Sequence, residues 1–150
     1  MDEPCDDPRA LAMSWIEKRK SSYWALISGK CLASDIHAWV AYNVLQRNKD
    51  RSTMKSNSLD GEFIRLLSGT HHIATSFKRA GLCKGDTEAW IVDLSAEGID
   101  ENFSEHAEIM GFKILEDRPH VGIFDAERMG ITSSDLENAA IAHIHLADMR

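Results

Sequence analysis

The chain has 150 residues, of which 43% are hydrophobic and 27% charged, and this is the size and composition of one globular domain. No unbroken apolar run exceeds five residues, whereas a membrane-spanning helix needs about 20 and a signal-peptide core about 7 or more. Three cysteines without a CxxC pair argue against a disulfide framework and a zinc knuckle. We therefore expect a soluble, cytoplasmic protein with a disordered acidic tail at residues 1–9 and a single domain at residues 10–150.

The net charge of −7 is distributed unevenly along the chain. Residues 1–46 are nearly neutral, residues 47–84 carry eight basic and three acidic side chains, and residues 85–150 carry four basic and 15 acidic ones. A basic segment inside an acidic chain is typical of contact with phosphate groups. The alternative is that surface loops and helix C-termini are often basic without any such role.

The first half of the predicted domain contains two strands and a helix. Residues 10–18 fit either a helix or a strand, and we favour a first strand. Residues 23–27 are aromatic and aliphatic and predict a buried strand. Ser34 is a good N-cap for a helix that the apolar spacing carries to about Arg47. Residues 48–57 are polar and basic, which predicts a surface loop.

Two helices are predicted to follow this loop. Ser58 caps the first one, and Gly69 ends it. Thr70 caps the second one, and Gly81 stands where a left-handed C-terminal residue is expected. The apolar stripe of the second helix consists of Ile73, Ala74, Phe77 and Ala80.

The last third of the chain alternates strand and helix signals. Residues 88–94 predict a strand, residues 100–110 the start of a helix, and residues 112–115 a further strand. Residues 123–129 fit one or two helical turns, and Ser134 opens a capping box for a final helix. Together these elements predict a mixed α/β (α+β) domain, in which a small mixed sheet of about four strands is packed by four to five helices.

The sequence carries no signature of catalysis, of a cofactor or of a metal site. None of the seven histidines has another histidine three or four residues away, which is the helical spacing for chelation. Glycine-rich phosphate loops, a nucleophile elbow and a catalytic-cysteine signature do not occur either. The alternative is a stand-alone small enzyme or ligand-sensing domain built around His71 and His72, and this would require a deep pocket there.

The most specific pattern in the chain lies between residues 53 and 82. It consists of Met54-Lys55-Ser56-Asn57-Ser58-Leu59, Glu62 three residues later, then Thr70-His71-His72-Ile73, and a helix that closes at Lys78-Arg79-Ala80-Gly81-Leu82. This pattern resembles the small non-catalytic subunit of the KEOPS complex, the family of the PRPK-binding protein TPRKB. The residues from Ser68 to Ile73 are nearer the archaeal form of the motif than the eukaryotic one, so we expect an archaeal-type member.

The resemblance implies a function as well as a fold. KEOPS adds the threonylcarbamoyl group to the adenosine beside the anticodon in tRNAs that read codons beginning with A. The small subunit is not an enzyme, and it binds the N-terminal lobe of the complex's small atypical kinase/ATPase subunit. It also recruits tRNA, which archaeal members hold by the single-stranded 3′ CCA end. A membrane and a small-molecule substrate are not expected as partners.

The resemblance also suggests which residues make these contacts. Kinase binding is expected from Ile73, Ala74, Phe77 and Leu82, and contact with tRNA from Lys55, Arg65, His71, His72, Lys78 and Arg79. In the second group the basic side chains would meet phosphates, and the imidazole rings would stack on bases or hydrogen-bond to them. Asn57 and His71 stand where the family often has a basic residue, so fixed positive charge is missing there. If the kinase contact is real, apolar side chains of this helix must be exposed.

Overall fold

The computed structural model describes residues 1, 3–95, 103–115 and 117–149, apart from the side chain of Phe103. This part of the chain forms six helices and two strands in one mixed α+β domain, so the predicted fold class is confirmed. The elements are α1 (Pro8–Lys18), β1 (Trp24–Ser28), α2 (Asp35–Asp50), α3 (Leu59–Ser68), α4 (Ile73–Arg79), β2 (Ala89–Asp93), α5 (Phe103–Ile109) and α6 (Leu136–Met149). None of the described helices is both long enough and apolar enough to cross a membrane.

The sheet is smaller than the sequence predicts. In the described part of the chain it has two antiparallel strands, with Trp24 opposite Asp93 and Ser28 opposite Ala89, so the expectation of about four strands is wrong. The strand predicted at residues 112–115 is also absent. The Phe112 N–H donates to the carbonyl of Ala107 at 2.8 Å, and this bond closes the end of α5.

The strand favoured for residues 10–18 is a helix. The Asp7 carboxylate accepts a hydrogen bond from the Ala10 N–H at 3.1 Å, and Pro8 occupies the first helical turn, where proline fits best. Trp15 is the one buried side chain of α1, and it packs in a small cluster with Trp24 and Leu26 of β1. Trp15 therefore covers part of the apolar surface that β1 presents.

The predicted starts of α2 and α3 and the predicted end of α3 are confirmed, because a capping residue or a glycine marks each of them. The Ser34 hydroxyl accepts from the His37 N–H at 3.0 Å, and α2 continues three residues beyond Arg47, into the segment expected to be a loop. Ser58 caps α3. Gly69 ends α3 with φ of 71°, a conformation that glycine adopts without steric cost.

The ends of α4 differ from the prediction. His72 precedes the first residue of α4, and the Thr70 hydroxyl accepts the His72 N–H at 3.2 Å, so Thr70 shapes the approach to the helix. Gly81 is not left-handed. A β-carbon at Gly81 would lie 2.7 Å from the Phe77 carbonyl oxygen, so close backbone packing accounts for this glycine.

The C-terminal elements are also shifted from their predicted positions. Asp135, not Ser134, accepts from a backbone N–H of α6, that of Asn138, at 3.3 Å. Residues 123–129 form turns where one or two helical turns were expected. The main core combines buried side chains of β1, α2, α3 and α6 with those of connecting segments, such as Leu94 and Phe124.

Residues 1–9 make specific contacts with the loop after α4, where the Met1 amino group also donates to the Thr87 carbonyl at 3.1 Å. The Cys5 N–H donates to the Asp86 carbonyl at 2.7 Å, and the Gly85 N–H donates to the Cys5 carbonyl at 2.7 Å. Cys5 itself is buried. The division into a disordered tail and a domain at residues 10–150 stays a prediction, and these bonds tie the first segment to the loop after α4.

His37 predicts that stability depends on pH. Its ring is fully buried and Nδ1 accepts the Ala33 N–H at 3.1 Å; burial, with a smaller effect from His143, lowers its pKa to about 4. The unfolded chain, with a pKa near 6.5, binds the proton more tightly, so stability falls as pH falls between these values. We expect the free energy of unfolding to drop by about 1 kcal/mol between pH 7 and 5.5. The total loss, reached once the pH is below both pKa values, is about 3 kcal/mol.

Urea unfolding at several pH values measures this dependence. His37→Gln serves as the control because it removes the titrating ring, so its stability should vary less between pH 7 and 5.5. The remaining slope includes His106, whose pKa burial also lowers, with Lys20 adding to the shift. Equal slopes in the two proteins would contradict the assignment to His37.

Candidate functional site

The exposed side chains of α4 form an apolar surface because the helix turns a serine inward. Ser76 is 3% exposed, and its hydroxyl bonds to the Ser68 hydroxyl at 3.1 Å and to the His72 carbonyl at 3.0 Å. Ile73 is 69% exposed and Phe77 is 47% exposed. The expectation that apolar side chains of this helix are exposed is therefore confirmed.

The other two residues predicted for kinase contact lie on either side of this exposed pair. Ala74 is exposed on α4 beside Ile73. Leu82 is half-buried and packs against the cluster that includes Trp15 and Trp24. We call Ile73, Ala74 and Phe77 the α4 apolar surface. These three side chains are exposed, whereas Leu82 is partly covered by the cluster.

Arg128 fixes the carbonyl end of α4. Its guanidinium donates to the Lys78 carbonyl at 3.0 Å, to the Gly81 carbonyl at 2.7 Å and to both carboxylate oxygens of Asp86 at 2.9 and 3.1 Å. Burial disfavours the charged guanidinium, but the hydrogen bonds and charge of Asp86 outweigh it and raise the pKa of Arg128. Sequence reasoning missed Arg128, which lies in the acidic last third of the chain with no motif around it.

Most of the residues predicted for tRNA contact are accessible. Lys55 and Lys78 are exposed, and so are His71 and His72, whose ring centroids lie 4.5 Å apart at an angle of 32°. Arg79 is half-buried, and its Nη1 donates to the Ser68 carbonyl at 2.7 Å, which leaves only part of the guanidinium for a ligand. The two histidines and Lys78 therefore lie on or beside α4, at opposite ends of the α4 apolar surface.

The structure corrects one residue of the set predicted for tRNA contact, Arg65. It is 5% exposed, its Nε donates to Glu62 Oε1 at 2.5 Å, and its Nη1 donates to the Ala147 carbonyl at 2.7 Å. A guanidinium held inside the domain by these bonds cannot reach a phosphate of a bound RNA. The spacing of Glu62 and Arg65, three residues apart on one helix, was the signal for an internal ion pair.

In the part of the chain that the structure describes, the surroundings of His71 and His72 do not include either of two cavities or a cluster of metal-ligating side chains. Two cavities of the described chain lie along the N-terminal segment and around Gly29 and Thr87, and neither includes His71 or His72. Within the described residues, no group of three histidine, cysteine or acidic side chains is placed to hold a metal ion. What the site offers chemically is an apolar helix face with cationic and imidazole groups at its ends.

A comparison with protein families gives a match that covers most of the chain. The model of a protein family described as kinase binding protein CGI-121 matches residues 7–116. The matched range contains α4 and its neighbouring basic side chains, whereas Arg128 and α6 lie beyond it. A search of curated proteins found no match to the chain.

Proposed function

The chain belongs to the CGI-121 family of kinase-binding proteins, and from this membership we propose that it is the non-catalytic accessory subunit of an archaeal-type KEOPS complex. In this role it binds the small atypical kinase/ATPase subunit and recruits tRNA by its 3′ CCA end for threonylcarbamoyladenosine modification in the cytoplasm. The observation that carries the proposal is the inverted burial on α4, where a serine lies inside and Ile73 and Phe77 lie outside.

Kinase binding follows from the energetics of the α4 apolar surface. Burying an exposed Ile or Phe side chain in an interface contributes about 1.5–3 kcal/mol. Two such anchors on a helix whose inner side is fixed by Ser76 and whose end is fixed by Arg128 lose little conformational entropy on binding. The expected interface has Ile73 and Phe77 at its centre, with Ala74 allowing close approach and Leu82 at the edge.

Recruitment of tRNA is assigned to the polar groups around the same helix. A single-stranded CCA end exposes phosphates and unstacked bases, which bind lysine side chains and flat rings. Lys55 and Lys78 are free to meet phosphates, with Arg79 contributing the part of its guanidinium that is not bonded to Ser68. The adjacent rings of His71 and His72 offer a surface for base contact.

The kinase role is tested by direct titration of the purified chain with the KEOPS kinase subunit. We expect a one-to-one complex that forms without tRNA, because the α4 apolar surface needs no nucleic acid to be present. Absence of binding at micromolar concentrations of both proteins would overturn the kinase proposal.

The tRNA role is tested with full-length tRNA and the same tRNA without its CCA end, each at two salt concentrations. The doubly substituted protein Lys55→Ala, Lys78→Ala should bind more weakly, and the logarithmic salt slope should fall by about 0.7 for each lysine. Lys113→Ala is the matched control, since it removes an exposed lysine outside the basic segment. Binding that ignores the CCA end or an unchanged slope would count against this assignment.

A further inference from the structure

Glu62 is a buried carboxylate with a defined pair of partners. Its side chain is fully buried at the start of α3; Oε1 accepts from Arg65 Nε at 2.5 Å and Oε2 accepts from the backbone N–H of Lys55 at 3.0 Å. A buried charge is tolerated only when it is paired and hydrogen-bonded. Glu62 therefore joins the interior of the domain to the backbone of the loop that carries Lys55.

The same loop is tied down at two further points. The Thr53 N–H donates to the Asn48 carbonyl at 2.8 Å, at the end of α2. A β-carbon at Gly61 would overlap the Ser56 hydroxyl, so the loop packs directly on the backbone of α3. Residues 51–57 are thus held from both neighbouring helices although most of their side chains face solvent.

Arg65 connects this anchor to the end of the domain. Its Nη1 bond to the Ala147 carbonyl reaches the last turn of α6, where Asp148 also accepts from Asn48 at 2.9 Å. Burial opposes ionisation of Asp148, but the Asn48 and Arg47 hydrogen bonds and the nearby charges of Arg47 and Arg65 outweigh it and lower its pKa. The ends of α2 and α6 and the start of α3 consequently form one polar network beneath the loop.

We propose that Glu62 and Arg65 are positioning residues that fix the backbone of residues 51–57 so that the Lys55 side chain projects outward for phosphate contact. The inference rests on the tRNA-binding role proposed above. The Lys55 ammonium forms no ion pair with another described residue, while its own N–H is anchored to Glu62. An anchored backbone lowers the entropy that the lysine loses when it meets a phosphate.

The variant Glu62→Gln tests the anchor. The two donors face different oxygens of Glu62, and a glutamine offers an oxygen at only one of these positions. The charged Arg65 guanidinium attracts that oxygen more strongly, so the Lys55 N–H would face the amide group. We expect faster hydrogen exchange of the Lys55 amide and a loss of tRNA affinity of about fivefold to tenfold. Kinase affinity should not change, because α4 is fixed through Ser68 at the opposite end of α3.

A double-mutant cycle with Lys55→Ala separates positioning from a general structural effect. If Glu62 acts through Lys55, Glu62→Gln costs less than twofold in tRNA affinity once the lysine side chain is gone. Equal losses in both backgrounds, or a parallel loss of kinase affinity, would overturn the inference. If Lys55→Ala alone leaves tRNA binding unchanged, Lys55 does not contact tRNA. The inference then fails because its premise fails, and not because Glu62 does not anchor the loop.

Glu62→Asp is the second variant, for the case in which the glutamine variant does not fold. Aspartate keeps the negative charge beside Arg65, but it is one methylene too short to reach both partners. We expect a folded protein with faster exchange at the Lys55 amide and weaker tRNA binding. A folded aspartate variant with unchanged tRNA affinity and faster exchange at Lys55 would overturn the inference.

Discussion

Replacing Ile73 by glutamate is expected to weaken binding of the KEOPS kinase subunit by at least about 100-fold, which corresponds to about 2.7 kcal/mol. The variant loses an apolar anchor and places an unpaired carboxylate in a desolvated interface. Because Ile73 is 69% exposed, the substitution removes little packing within the domain. Calorimetric titration with the kinase subunit measures the affinity, and the thermal unfolding midpoint should stay within a few degrees of the parent protein.

Ile36→Glu is the matched control for Ile73→Glu. Ile36 is 57% exposed and lies on α2, so the glutamate makes the same change in charge and apolarity on a different helix. It should bind the kinase subunit with the affinity of the parent protein. Normal binding by Ile73→Glu together with a loss in Ile36→Glu would move the kinase interface from α4 to α2.

How far the sequence predicts this fold depends on how local the determining contacts are. Ser34, Ser58 and Gly69 act within three residues of their own helix, and the ends that they define are confirmed. Residues 10–18 have no decisive apolar period, and their start signals, Asp7 and Pro8, lay in the segment assigned to the tail. A helix whose one buried side chain is Trp15 gives too weak a pattern to distinguish it from a strand.

How well the sequence predicts the candidate site also depends on how far apart in the chain the contacting residues lie. Helical spacing in α4 predicts an apolar stripe, but a stripe is usually core, and only the resemblance to a kinase-binding family indicated that it faces outward. Burial of Ser76 settles which side is inside, and it depends on Ser68, eight residues away. Arg65 was misassigned for a different reason. Its positive charge was counted as available for RNA, although Glu62, three residues before it, pairs with it inside the domain.

The role of Arg128 could not be found by local reasoning because all the partners of its guanidinium are at least 42 residues away in sequence. The acidic composition around it gives no sign of a structural role. Its contacts also explain why the loop after α4 and the turns at residues 123–129 pack together. A guanidinium is suited to this task because its fork of donors serves a carboxylate and two carbonyl groups at once.

Arg128→Ala is expected to lower the free energy of unfolding by about 3–5 kcal/mol, the usual range when one partner of a buried ion pair is removed. Asp86, 6% exposed in its side chain, would keep a charge without its cation, and the Lys78 and Gly81 carbonyls would lose their donor. Urea unfolding at pH 7 measures the loss. Arg128→Lys should recover only part of it, because a single ammonium group cannot serve all four acceptors.

Arg118→Ala provides the control, since its pair with Asp35 at 3.3 Å is exposed and should contribute at most about 1 kcal/mol. Equal stabilities of the alanine variants of Arg118 and Arg128 would show that the buried pair does not hold the end of α4. The folded fraction of Arg128→Lys should bind the kinase subunit less tightly than the parent, because Phe77 directly precedes Lys78 and lies four residues before Gly81, and the carbonyls of these two residues lose bonds to Arg128. Unchanged kinase affinity in this variant would mean that Ser76 and Ser68 fix the α4 apolar surface without help from Arg128.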